Sequence, residues 1–228
     1  MKSKMKVKFN LIALLLIIAF ASCKNETTFN DYKYTSKGNV IDCNDKNLSP
    51  LINEALFSFE DDITKFYGKG KPNLNMAYSQ FIRNSISGRM KYEDIVTPHT
   101  VKVFDALKKY DLWDAINPKS HLSYNSPFFK CLAENIQDKN LKITLNALVS
   151  TNSMSPKLFG SPLMTRYRSA ISDKYLAGYI AFDLYYAKLF DLDLTKVEEK
   201  IVEKEKVDFN KRPIEIPAKR APSAAPIN

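Results

Sequence analysis

Apolar residues recur at spacings of three and four through most of residues 48–194, the period that lays one apolar face along a helix. Leu51, Ile52, Ala55, Leu56, Phe59, Ile63 and Phe66 make the first such face, which stops before Gly68 and Gly70, residue types suited to end a helix. Leu74, Tyr78, Phe81 and Ile82 predict a second helix over 73–87, with Gly88 as its carboxyl-terminal cap. Val101, Phe104 and Leu107 predict another, and Phe129, Leu132 and Ile136 one more. Ser or Thr stands before Pro at 49–50, 97–98, 126–127, 155–156 and 161–162. Such a hydroxyl can accept a free N–H of the first turn, and Pro tolerates the first helical position, where its missing N–H costs nothing. Most of these pairs therefore read as helix starts.

Two stretches need more than periodicity. Leu141, Ile143, Leu145, Ala147 and Val149 alternate as a strand would, yet an isolated strand has no partner and both flanks are helical, so this stretch reads as helix. Residues 173–190 are apolar nearly all round, which predicts a long, central, buried helix. The expected fold is all-α: a single irregular helical bundle of about six helices over 48–194, large enough to bury a stable core. The helix starts are too irregularly spaced for a solenoid.

The flanks have a different character. Lys2, Lys4, Lys6 and Lys8 precede an unbroken apolar run over residues 11–21, followed by Ser22 and Cys23. Charge, then apolar core, then small residues is the order of a secretory signal, and the run is too short for a bilayer-spanning helix. Phe20-Ala21-Ser22-Cys23 resembles the lipobox of bacterial lipoproteins, with Phe where Leu is usual, a form found in lipoproteins of the Bacteroidetes. That resemblance implies cleavage before Cys23 and acylation of its sulfur, which would hold the protein to a membrane by lipid. Ordinary cleavage after Ala19-Phe20-Ala21, with secretion to the periplasm, is the alternative. Residues 1–22 thus read as signal peptide, 23–47 as a polar tether, and 195–228 as a charged helix followed by a Pro- and Ala-rich disordered tail.

Composition adds two constraints. The formal charge of +9 is almost half due to the four signal lysines, and the remaining basic residues are scattered, which argues against nucleic acid as a partner. Three cysteines are present. If Cys23 is acylated, Cys43 and Cys131 remain as a pair that an exported protein can oxidise, closing a loop of roughly 90 residues worth on the order of 4 kcal/mol in the chain-entropy model.

Candidate chemistry is sparse. Asp183 falls inside an apolar stripe, with Tyr179 and Ile180 before it and Ala187 after it. A carboxylate there needs a partner, and Arg166 and Arg168 on the preceding segment are the expected ones. The bland reading is an ion pair between helices; the functional one is a charged group at the base of a ligand groove. Tyr175, Tyr179, Phe182 and Tyr186 form an aromatic stripe that reads as core, or else as one wall of that groove. Glu60-Asp61-Asp62 reads as a solvated helix face whose members diverge and share no metal ion. His99 and His121 lack the companions of a zinc site, no nucleophile motif is present, and no metal or cofactor is expected. Two functions remain: a non-catalytic binding or assembly module of the cell envelope, which we favour, or an envelope-associated hydrolase using Asp183 with a distant acid or base.

Overall fold

A computed structural model of the chain describes residues 29–68, 71–117 and 119–197. The signal segment with Cys23, and the charged helix and tail expected beyond residue 197, lie outside the described residues. Backbone contacts divide the chain into two units, one ending at Lys33 and one beginning at Tyr34. Of the first, residues 29–33 are described, and there Phe29 and Tyr32 pack edge to face at 4.9 Å.

The second unit is helical, as the periodicity predicts. Its α-helices are α1 (Ser49–Gly68), α2 (Leu74–Ile86), α3 (Pro98–Leu107), α4 (Pro127–Asn135), α5 (Lys139–Ser150), α6 (Pro156–Arg166), α7 (Ser169–Ser172) and α8 (Lys174–Tyr179). Among the described residues there is no strand, only one isolated antiparallel bridge between Trp113 and Leu122. No described helix is long and apolar enough to cross a membrane. The ambiguous stretch around Leu141 is α5, with Asp138 accepting the Asn140 and Leu141 N–H groups as its cap.

Three of the five Ser/Thr-Pro pairs start helices as expected. Thr97 accepts from Thr100 N–H, Ser126 from Phe129 N–H and Ser155 from Leu158 N–H. Pro162 instead lies inside α6. Ser49 does not cap α1 either. The chain turns one step earlier, where Asp45 Oδ1 accepts the N–H groups of Asn47 and Leu48 and the Asp45 carbonyl accepts that of Ser49. Ser49 is thereby drawn into the first helical turn, and its hydroxyl is left over.

Helix α1 packs against α2 and α3, α2 against α6, and α4 against α8. Phe59, Tyr78, Phe81 and Tyr185 meet edge-on or tilted, while Phe104, Trp113, Phe182, Phe128 and Phe190 meet edge-on except for the stacked Trp113–Phe182 pair. Gly178 allows the closest approach: a Cβ there would sit 2.7 Å from Ile41 Cδ1 and 3.1 Å from Leu132 Cδ2.

The long central α-helix expected over 173–190 is not present. The stretch is α-helical only over α8, continues as a π-helical segment Ile180–Tyr185, and ends as a 3₁₀ segment Tyr186–Asp191. The backbone bends at Tyr185, with φ −119° and ψ −71°. Each change of hydrogen-bond register rotates the next residues about the axis, and here it lets Tyr179, Phe182, Asp183, Tyr185 and Tyr186 all lie buried. Hydrogen bonds to other segments tie it down: Tyr92 donates to the Leu184 carbonyl at 2.9 Å, and Tyr186 of the segment itself donates to the Ala55 carbonyl of α1 at 3.0 Å.

Part of the stretch read as a tether belongs to the domain. Asn53 on α1 accepts the N–H groups of Val40 and Ile41 at 2.8 and 2.9 Å and donates back to the Ile41 carbonyl at 2.8 Å. Ile41 is fully buried. Two residues on, Cys43 and Cys131 lie at disulfide-bonding distance, with Cα atoms 5.7 Å apart. An extended segment can pack this way because one amide side chain takes over the backbone partners that a sheet would supply.

Candidate functional site

The carboxyl of Asp183 hangs from the π-helical segment with no exposed surface. Oδ1 accepts from Ser120 Oγ at 2.5 Å and Tyr124 Oη at 3.1 Å, and Oδ2 from Tyr179 Oη at 2.7 Å. Burial raises its pKa; these three hydroxyls, and more weakly Lys188, oppose the rise. The partners expected from sequence are elsewhere: Arg166 stands 3.7 Å from Asp138, and Arg168 donates to the Tyr167 hydroxyl at 3.3 Å. Guanidinium groups keep water at the surface, whereas uncharged hydroxyls can follow a carboxyl into the core at smaller desolvation cost. Asp183 therefore fastens the loop before α4 to the central segment.

The remaining members of the expected groove also separate. Tyr179 and Tyr186 are core, and Tyr175 is at the surface, donating to the Asp42 carbonyl at 3.2 Å. Arg166, Arg168, Tyr175, Tyr179, Asp183 and Tyr186 do not line one groove.

Sequence reading missed a set of buried acids on α1. Glu60 and Asp62 are buried rather than solvated. Glu60 accepts from Lys174 Nζ at 2.8 Å and Tyr78 Oη at 3.0 Å. Asp62 Oδ2 accepts from Thr100 Oγ1 at 2.5 Å and Tyr185 Oη at 2.7 Å, and burial lifts its pKa to about 6 against the effect of those hydrogen bonds. Asp61 stays outside, bonded to Lys65 and to the Tyr34 hydroxyl. The divergence of the three is as the helical geometry demands. About two turns earlier, Glu54 Oε1 lies 2.7 Å from His99 Nε2 in a buried pair. The other histidine, His121, sits 3.0 Å from Asp191 in a half-exposed position. Among the described residues, no three His, Cys, Asp or Glu side chains gather around a possible metal position.

Tyr124, one of the hydroxyl donors to Asp183, also borders a cleft of about 330 Å³. It is lined by Asp114, Ile116, Asn117, Lys119, Tyr124, Asn125, Val149, Asn152 and Met154. The loop that forms it is folded back on itself by Asp114 N–H to the His121 carbonyl, 2.7 Å, and Ser123 N–H to the Leu112 carbonyl, 2.9 Å. Lys119 donates across to the Asn152 carbonyl at 3.3 Å. Amides, one ammonium, one carboxylate and apolar side chains offer hydrogen bonds and contact area, the ingredients of binding. Tyr124 bridges the two layers, its hydroxyl on Asp183 and its residue in the cleft wall. No protein-family model, curated protein or solved structure matches this chain.

Proposed function

We propose that the protein is a lipid-anchored, extracytoplasmic binding or assembly module of the cell envelope, an irregular helical bundle held to the outer membrane through Cys23. The bonding distance of Cys43 and Cys131 carries this reading. A disulfide between them suits an oxidising compartment and leaves Cys23 as the one cysteine for acylation. Binding is favoured over hydrolysis by the placement of Asp183, whose oxygens are taken up by Ser120, Tyr124 and Tyr179 and which has no exposed surface. The membrane itself and an envelope protein or polymer are the proposed partners.

The test is metabolic labelling with a radioactive fatty acid in a bacterial host, with membrane fractionation. Wild-type protein is expected to take up label and sediment with outer membranes; Cys23→Ser is expected to lose both. Unlabelled, soluble wild-type protein would overturn the anchor. Photo-crosslinking from a residue placed at Asn125, in intact envelopes, is expected to capture a partner.

A further inference from the structure

A second cleft, of about 320 Å³, lies at the amino-terminal end of α1, between Cys43, residues 110–112 and the start of α4. Leu48, Ile52, Leu112 and Phe128 form an apolar part of its wall and are themselves buried. Set among them is Ser49, 5 % exposed, whose Oγ has no hydrogen-bond partner. Asp45 has taken over the capping role that would have used this hydroxyl. A buried hydroxyl without a partner costs stability that an alanine would not, so its presence in a cleft wall points to something that binds there. The charged residues lining the cleft, Asp45 and Asp111, are both acids. A volume at the lower end for ligand sites suits one large side chain with its backbone rather than a polymer stretch.

We propose that this cleft docks a partner peptide through one large apolar side chain, with a polar atom of that peptide on Ser49 Oγ and a neighbouring basic residue facing Asp45 and Asp111. The apolar side chain supplies the contact area by leaving water. The hydroxyl and the two carboxylates supply selectivity, because a peptide with an acid in place of the base meets like charge. The proposal rests on reading the domain as a binding module but not on the lipid anchor.

The experiment titrates the purified full-length protein, disulfide intact and ¹⁵N-labelled in detergent, with acetyl-Phe-Lys-amide, acetyl-Phe-Glu-amide and acetyl-Ala-Lys-amide. Saturable amide shifts are expected with the first, centred on residues 43–52, 110–112 and 127–128, weaker with the second and absent with the third. Ser49→Ala is expected to weaken binding about 2- to 10-fold while leaving the unfolding midpoint unchanged or raised. Asp111→Asn is expected to weaken it about 2- to 5-fold, an effect that added salt abolishes. Equal binding of the Lys and Glu peptides, shifts centred elsewhere, or a Ser49→Ala protein that is destabilised and binds normally would overturn the proposal. A partner crosslinked only at another surface would end this assignment and leave the binding-module reading standing.

Discussion

At Asp62, burial raises the carboxyl pKa to about 6 from an ordinary 3.8, while the hydroxyls of Thr100 and Tyr185 limit the rise. The folded protein thus holds this proton more tightly than the unfolded chain. The resulting stability is complete below about pH 4 and is lost as pH rises through 6, a span worth about 3 kcal/mol. Asp183 acts with the same sign, since its pKa is also raised by burial. Asp62→Asn keeps an oxygen for both hydroxyl donors. It is expected to flatten the pH dependence of urea unfolding between pH 4 and 7 and to raise stability at pH 7 by up to about 3 kcal/mol. An unchanged pH slope would show that Asp62 titrates normally. Glu54→Ala removes the carboxylate that meets the buried His99 imidazole and accepts the Tyr34 N–H and is expected to cost about 3–5 kcal/mol by the same measurement.

These residues also show where sequence reading reached and where it stopped. Asp183 is legible because helical spacing places it among apolar neighbours. Its partners are not, because Ser120 and Tyr124 stand 63 and 59 residues earlier, and hydroxyl residues in a polar loop carry no sign of what they will bond. Glu60 and Asp62 are concealed by their own polarity. Three consecutive acids look solvated until Lys174, Tyr78, Thr100 and Tyr185 arrive from other segments to receive two of them.

Among elements, α2–α5 are legible because each has a wet side and a dry side, which fixes the phase of its periodicity; α1 is buried all round over residues 51–60, and there the polar residues Asn53, Glu54, Ser58 and Glu60 give the phase instead. The segment after α8 has no wet side over residues 180–187. An apolar run buried on every side reads the same whichever register its hydrogen bonds take, so the passage from α to π to 3₁₀ leaves no trace in the pattern of residue types. The close approach at Gly178 is likewise invisible in a single sequence. Gly178→Ala drives a methyl into Ile41 and Leu132 and is expected to cost about 1–3 kcal/mol in urea unfolding despite the better helix propensity of Ala. A neutral or stabilising effect would mean that α8 and α4 can part without penalty.

On the scale of the whole molecule, the expected cysteine pairing agrees with the geometry, although the two residues are 88 positions apart. Parity, not spacing, made it legible. Replacing both with Ser is expected to lower stability by about 4 kcal/mol in the chain-entropy account, and so the melting temperature by roughly 10 °C, with the helical circular dichroism retained. Equal melting of oxidised and reduced wild-type protein would show that the bond contributes nothing of the kind. The beginning of the packed domain was harder to read. Its first buried residue, Ile41, is an isolated apolar position in a polar stretch, with no periodicity to announce it.

Asn53 and Cys43 also decide how the domain would bear a load. A chain pulled by its amino terminus passes tension first to Tyr34, whose N–H and hydroxyl are held by Glu54 and Asp61, and then to residues 40–41, where three hydrogen bonds to one side chain resist together. It then reaches Cys43, where a covalent bond diverts the force into α4 at Cys131 and bypasses α1. Once oxidised, the domain would resist extension as a clamped loop, with the segment between residues 43 and 131 shielded from the pull. In the reduced state the same tension would peel the chain from Asn53 and unwind α1 from its first turn. A single-molecule pulling record should therefore gain contour length on reduction, from the residues that the bond had kept out of the line of force.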